Sequence, residues 1–77
     1  MRGRGAERRL ATLVDRLASK NDPVDRAAVA AEIRDVAEGL VSSSIQDANR
    51  KGMTWRQIGA ELDIPFQTLY RRYGEAE

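Results

Sequence analysis

The stretch that decides the fold reads TWRQIGAELDIPFQTLYRRY and runs from Thr54 to Tyr73. Thr54 is suited to cap a helix, and Gln57 three residues later completes a capping box. The pattern predicts a helix that ends near Leu62, a tight connection, and a second helix over 66–73. Pro65 has a backbone angle that suits a helix start, and Gly74 suits a helix end. The segment therefore predicts two short helices joined by a turn.

A small residue is needed where two such helices cross at a steep angle, and Gly59 supplies it, with Ala60 as a second small side chain beside it. Asp63 falls where the turn requires a left-handed backbone, which Asp tolerates better than most residues. The second helix keeps a polar outer surface that could lie in a DNA major groove. The layout predicts a helix-turn-helix. Its predicted apolar wedge consists of Ile58, Leu62, Ile64 and Leu69.

Residues 52–74 resemble known DNA-binding families. The string WRQIGAELDI is similar to the S-W-x-E-I-G-x-x-L-G-V helix of sigma-factor region 4 and of many small actinobacterial regulators. The string IPFQTLYRRY resembles the recognition helix of the resolvase/invertase family, commonly I-S-x-x-T-L-Y-R. Pro65 stands where these families usually place a Ser or Thr, so the usual cap hydroxyl is missing. The resemblance implies that DNA contacts fall on Phe66, Gln67, Thr68, Tyr70, Arg71 and Arg72.

Polar groups of the second helix suggest distinct roles at DNA. Gln67 can pair with adenine through two hydrogen bonds and is the first choice for base reading. Arg71 could read guanine or hold a phosphate, with the two roles about equal. Arg72 and Arg56 suit phosphate contacts because they flank the groove-facing side. Tyr70 could donate to a phosphate or cover a thymine methyl.

The remaining aromatic residues are less specific. Phe66 could touch a thymine methyl, but a partly buried packing role is about as plausible. Trp55 and Tyr73 are expected in the core, since each lies on the apolar side of its helix.

Charge is segregated along the chain although the net charge is only +1. Residues 1–20 carry a net +4, residues 21–49 a net −4, and residues 50–73 a net +3. Basic ends around an acidic middle suggest that a polyanion meets the ends, although solvated helices would look the same. The arginines and glycines of residues 1–5 indicate a flexible basic arm, in which Arg2 and Arg4 could enter a minor groove of DNA. The alternative, a disordered start followed by two exposed helix arginines, is slightly favoured over that role.

Two helices are predicted before the motif. The first runs from about Ala6 to Ser19, with a single apolar stripe of Leu10, Leu13, Val14 and Leu17. The second starts at Asp22-Pro23, a cap followed by a favourable first position, and continues to about Arg50. Gly39 and the serines after it leave open whether that helix is continuous or broken.

A helix of this length exceeds what the core of a 77-residue monomer needs. Its surplus apolar face, which includes Leu40, is expected to pack on a second copy, and the alternative is two shorter helices folded on each other. We expect a single all-α domain of four helices, with a C-terminal helix-turn-helix and a long central helix. Residues 6–51 would serve as its dimerisation or support region.

The chain has no cysteine and no histidine, which removes disulfides, thiolate metal sites and the usual nucleophile systems. We therefore expect no catalysis, no metal and no cofactor. No apolar run approaches the roughly 20 residues of a membrane span. A cytoplasmic, nucleoid-associated protein of bacterial or phage origin is the simplest interpretation.

The sequence thus predicts a homodimeric, sequence-specific duplex DNA-binding protein, by default a transcriptional repressor. The alternative is a protein-interaction module or adaptor that binds another protein through helix 23–50, with the helix-turn-helix secondary. RNA binding is a weaker third option, because nothing resembles an RNA-binding sheet.

Overall fold

A computed structural model describes residues 4–74, with side chains from residue 5 onward. The predicted all-α fold is confirmed: four helices are present and no strand occurs between residues 4 and 74. They are α1 (Arg4–Ala18), α2 (Pro23–Arg50), α3 (Trp55–Leu62) and α4 (Phe66–Leu69). The chain continues from α4 into a π-helical segment, Tyr70–Gly74. The last helix was predicted as uniform over 66–73, so its second half differs from the expectation.

Contacts group the chain into two compact units, residues 1–40 and 41–77, although its length had predicted a single domain. The division falls within α2, because the two parts of this long helix contribute to separate cores. The N-terminal unit contains α1 and the first part of α2. The C-terminal unit contains the last part of α2, α3, α4 and the π-helical segment.

The start of α2 follows the sequence closely. The Asp22 carboxylate accepts hydrogen bonds from the backbone N–H groups of Val24 and Asp25, both at 3.0 Å. Helix α2 then runs for 28 residues without interruption, so the alternative of two shorter helices is excluded. Gly39 only weakens helix propensity, and this local effect does not break the helix.

The N-terminal unit has a small core. Leu13 of α1 and Val29 of α2 are its buried apolar side chains, at 1% and 5% exposure. Val14 is 52% exposed, so the predicted apolar stripe of α1 is only partly buried within the chain. The reason is geometric: successive residues are about 100° apart around a helix, and Leu13 faces α2 directly.

The C-terminal unit has a core built from three parts of the chain. Its buried cluster consists of Ile45 of α2, Ile58 of α3, and Leu69 and Tyr73 of the segment 66–74. Ala48, Met53, Trp55 and Ile64 pack against this cluster. The core placement expected for Tyr73 is confirmed, and Trp55 is partly buried.

Leu62 is the exception to the predicted wedge. Its side chain is 45% exposed and it does not belong to the buried cluster. It lines an open apolar groove, opposite which α2 offers the small side chains Ser44 and Ala48. These side chains are too short to cover Leu62, so the prediction that it locks the two helices together is wrong.

The prediction of a flexible arm over residues 1–5 is wrong for Arg4 and Gly5, which belong to α1. Arg2 and the side chain of Arg4 lie outside the described residues. Within residues 4–74, no helix is long and apolar enough to cross a membrane.

Candidate nucleic-acid interface

The start of α3 is fixed by the predicted capping box. The Thr54 hydroxyl accepts a hydrogen bond from the Gln57 backbone N–H at 3.1 Å. In return, the Gln57 side-chain carbonyl accepts from the Thr54 backbone N–H at 2.8 Å. The backbone N–H groups of Thr54 and Gln57 are thereby both satisfied by side chains of the capping box. This arrangement sets where α3 begins relative to the end of α2.

The turn between α3 and α4 has the predicted left-handed residue. Asp63 has φ 58° and ψ 43°, and its backbone N–H donates to the carbonyls of Gly59 and Ala60. The Ile64 backbone N–H donates to the Gly59 carbonyl at 2.9 Å. These bonds close the last turn of α3 and direct the chain sharply into α4.

Gly59 lies where the two helices approach, as the sequence predicted. A Cβ atom built on Gly59 would lie 2.6 Å from the Ile64 carbonyl oxygen and 3.4 Å from the Phe66 Cα. Ala60 is exposed, and it lines an open cleft together with Gly59 and the turn. Gly59 alone therefore meets the steric requirement of the close approach.

The segment 66–74 has a buried side and an exposed side. Leu69 and Tyr73 are four residues apart and face the core. Gln67 and Arg71 each lie two residues from Leu69, which on a helix is the opposite side, and both are exposed. Arg72 is exposed on one flank, and Thr68 is half-buried on the same flank.

The other flank carries aromatic side chains held by α3. The guanidinium carbon of Arg56 lies 4.0 Å from the centre of the Phe66 ring. Trp55 meets Tyr70 edge to face, with ring centres 5.8 Å apart. Phe66 is half-buried, and Tyr70 remains 46% exposed. The sequence did not predict that both aromatic residues would contact α3.

Pro65 leaves the first turn of α4 without a side-chain cap, as its missing hydroxyl implied. The other predicted contact residues on this segment all lie between Phe66 and Arg72, and Arg56 adjoins them through Phe66. Arg2 cannot be placed relative to this surface, since it lies outside the described residues.

Sequence reasoning missed the contribution of α2 to this site. The Gln46 side-chain amide donates to the Tyr73 carbonyl at 3.0 Å, across 27 residues of sequence. The Asn49 side-chain amide donates to the Met53 carbonyl at 3.0 Å. Ile45 and Ala48 supply apolar contacts to the same core. Ile45 and Ala48 are three residues apart and so lie on one face at the end of α2, and this spacing was the signal that could have indicated their contact with the core.

No group of three or more Asp and Glu side chains that could hold a metal ion is found among the described residues. Comparison of the chain with protein-family models, curated proteins and solved structures gives no match. The resemblance of residues 52–74 to sigma-factor and resolvase motifs therefore stays a prediction.

Proposed function

We propose that this chain binds duplex DNA and reads its sequence with residues 66–72, inserted in the major groove. The observation that carries the proposal is the division of this segment into two sides. Leu69 is 1% exposed on the core side, while Gln67 and Arg71 are exposed on the opposite side. A segment that is anchored by apolar residues and presents an amide and a guanidinium outward suits base recognition.

The dimensions are compatible with this role. A helix with its side chains is about 10–12 Å across, and the major groove is about 12 Å wide. Gly59 and Asp63 hold the segment at a fixed angle to α3, which supports a rigid presentation of its side chains. Rigid placement matters because base contacts require well-aligned hydrogen bonds.

The charge of the C-terminal unit also supports the proposal. Arg56, Arg71 and Arg72 are exposed and surround the outward side of the segment. Among the described residues, none of these three arginines forms an ion pair, whereas Arg50 pairs with Asp47. Guanidinium groups at the edges of a groove-binding helix are suited to phosphate. In this scheme Gln67 reads adenine, Arg71 reads guanine or binds phosphate, and Arg72 and Arg56 bind phosphate.

The first experiment measures binding to random-sequence duplex DNA by fluorescence anisotropy over a range of salt concentrations. We expect binding that weakens steeply as salt rises, because phosphate contacts release counterions. Arg72→Ala should weaken binding to every sequence and flatten the salt slope by about one unit. Arg50→Ala is the matched control, since it removes one arginine of the same unit that already pairs with Asp47. Absence of binding at low salt would refute the proposal.

The second experiment selects bound duplexes from a random pool with the wild-type chain and with Gln67→Ala. The variant should lose its preference at one adenine position and keep most of its overall affinity. An equal loss on all sequences would contradict the base-reading role. A protein with this activity would act in the cytoplasm at the nucleoid, and repression by blocking a promoter is the simplest regulatory consequence.

A further inference from the structure

The helical hairpin of the N-terminal unit, formed by α1 and residues 23–40 of α2, has two different flanks. One flank is ionic. The guanidinium groups of Arg9 and Arg16 each lie 3.7 Å from the same Glu32 carboxylate oxygen. Around their helices, these residues lie about 40–60° to one side of the buried Leu13 and Val29. The ionic flank is therefore already paired within the chain.

The opposite flank is apolar, and we call it the apolar flank. It lies about 40–100° to the other side of Leu13 and Val29, at 100° per residue. Val14 there is 52% exposed and Ala30 is exposed. The larger side chains next to them are only half-buried. The apolar flank consists of Leu10, Val14, Leu17, Ala30, Ile33 and Ala37.

Arg26 is the one charged residue that helical geometry places among them in this part of the described chain. Its guanidinium donates to the carbonyls of Leu17 and Lys20 at 3.0 and 3.1 Å, so it serves to cap α1. An open hollow lies beside it, lined mainly by Leu17, Pro23, Ala27 and Ala30. The apolar flank thus offers a concave, largely uncharged surface.

The hairpin also needs additional burial. Among its described residues, only Leu13 and Val29 are buried apolar side chains. Units of about 40 residues usually require a metal, a disulfide or a partner for stability. The chain has no cysteine, and the described residues contain no metal-binding cluster. A protein partner is the remaining source of stability.

The charges at the rim of the apolar flank identify that partner. Glu7 lies at the rim on α1, and Arg34 at the rim on α2, each about 120–140° from the core direction. Two contacts fix the axial register of α1 against α2. Arg26 of α2 donates to the Leu17 carbonyl, and Glu32 of α2 pairs with Arg9 of α1. By this register, Glu7 and Arg34 lie within about one helical turn of the same height.

We propose that a second copy of this chain covers the apolar flank, forming an antiparallel four-helix bundle with a twofold axis parallel to the helices. In this arrangement each α1 lies across the α2 of the second copy, and Glu7 faces the second copy's Arg34. The other twofold arrangement has its axis perpendicular to the helices and places α1 on α1 and α2 on α2, so Glu7 would not face the second copy's Arg34. Complementary charge therefore selects both the partner and its orientation.

Arg34 is available for this contact. It pairs with its neighbour Asp35 at 3.6 Å, and both side chains are 75% exposed. Exposed pairs of this kind contribute little, so the guanidinium can turn to a second partner. The face measures about 22 Å by 20 Å, from 1.5 Å per residue along α1 and two helix widths. This size is at the low end for specific interfaces, so the dimer should dissociate on dilution.

The test is analytical ultracentrifugation of the full chain without DNA, over a wide range of concentration, so that it is independent of the proposed DNA binding. We expect a reversible monomer–dimer equilibrium. Ala30→Asp should raise the dissociation constant by about tenfold or more, because it buries an unpaired carboxylate in the apolar interface. Ala28→Asp is the matched control, because this exposed alanine lies on the same helix outside the apolar flank. Circular dichroism checks that both variants remain helical.

The orientation is tested by exchanging the rim charges. Glu7→Arg and Arg34→Glu should each weaken the dimer about tenfold, because each places like charges at both symmetry-related rim contacts. The double variant restores opposite charges and should return to within about threefold of the wild type. A monomer at all concentrations would overturn the proposal. So would a dimer that Ala28→Asp and Ala30→Asp weaken equally. Single charge reversals without effect would overturn the assigned orientation.

Discussion

Replacement of Gly59 by alanine tests whether the close approach of α3 and α4 determines the C-terminal unit. At an ordinary helical position the change would stabilise the protein by about 1 kcal/mol, because glycine is a poor helix former. Here the new Cβ would lie 2.6 Å from the Ile64 carbonyl oxygen. Overpacking of this kind costs about 1–3 kcal/mol. The upper value applies because the obstacle is backbone, held by the bond from Ile64 N–H to the Gly59 carbonyl.

The expected net result for Gly59→Ala is a loss of about 2 kcal/mol in the free energy of unfolding. Gly39→Ala is the matched control, since a Cβ there meets nothing within 4 Å and the residue lies inside α2. That variant should gain about 0.5–1 kcal/mol. The two glycine replacements should therefore act in opposite directions.

Urea unfolding measures both effects. Trp55 fluorescence follows the C-terminal unit, because Trp55 packs against its core. Far-ultraviolet circular dichroism follows the whole chain and records the effect of Gly39→Ala. Each variant is compared with the wild type on the same probe, since two units need not unfold together. The steric argument fails if Gly59→Ala unfolds at the same urea concentration as the wild type or at a higher one.

Further changes in the C-terminal unit have defined outcomes. Thr54→Ala should lower the free energy of unfolding by about 1 kcal/mol in the same urea assay, and Thr54→Ser should retain most of the stability, because the hydroxyl provides the cap. Asp63→Gly should be tolerated, whereas Asp63→Val should destabilise by more than about 1 kcal/mol, since a β-branched residue is strained at φ 58°. In DNA-binding assays, Phe66→Ala and Arg56→Ala should each weaken affinity, and the double variant should lose little more, because the stacked pair acts as a unit. Additive losses would show that the two side chains act separately.

Local signals in the sequence predicted the helix boundaries well. The Asp22 cap, the capping box of Thr54, and the left-handed Asp63 each depend on residues within a few positions of one another. The role of Gly59 could also be predicted, because two helices that cross at a steep angle require a small residue where they meet. The exposure of Gln67 and Arg71 follows from their spacing relative to Leu69.

The features that were missed depend on contacts distant in sequence. Apolar spacing gave Leu62 and Ile58 equal weight, but only Ile58 meets a large neighbour on α2. The hydrogen bond from Gln46 to Tyr73 joins residues 27 positions apart, and no local pattern marks it. The change from α-helical to π-helical geometry after Leu69 also has no local signal, since Gly74 could end a helix of either type.

The hydrogen bond from Gln46 to the Tyr73 carbonyl has a practical consequence for transplanting this motif into other scaffolds. A peptide of residues 52–74 carries the whole helix-turn-helix string but lacks Ile45, Gln46 and Ala48, which complete its core and hold its final turn. Such a peptide should be largely unstructured, because its second helix is too short to persist alone. The portable module begins near residue 41.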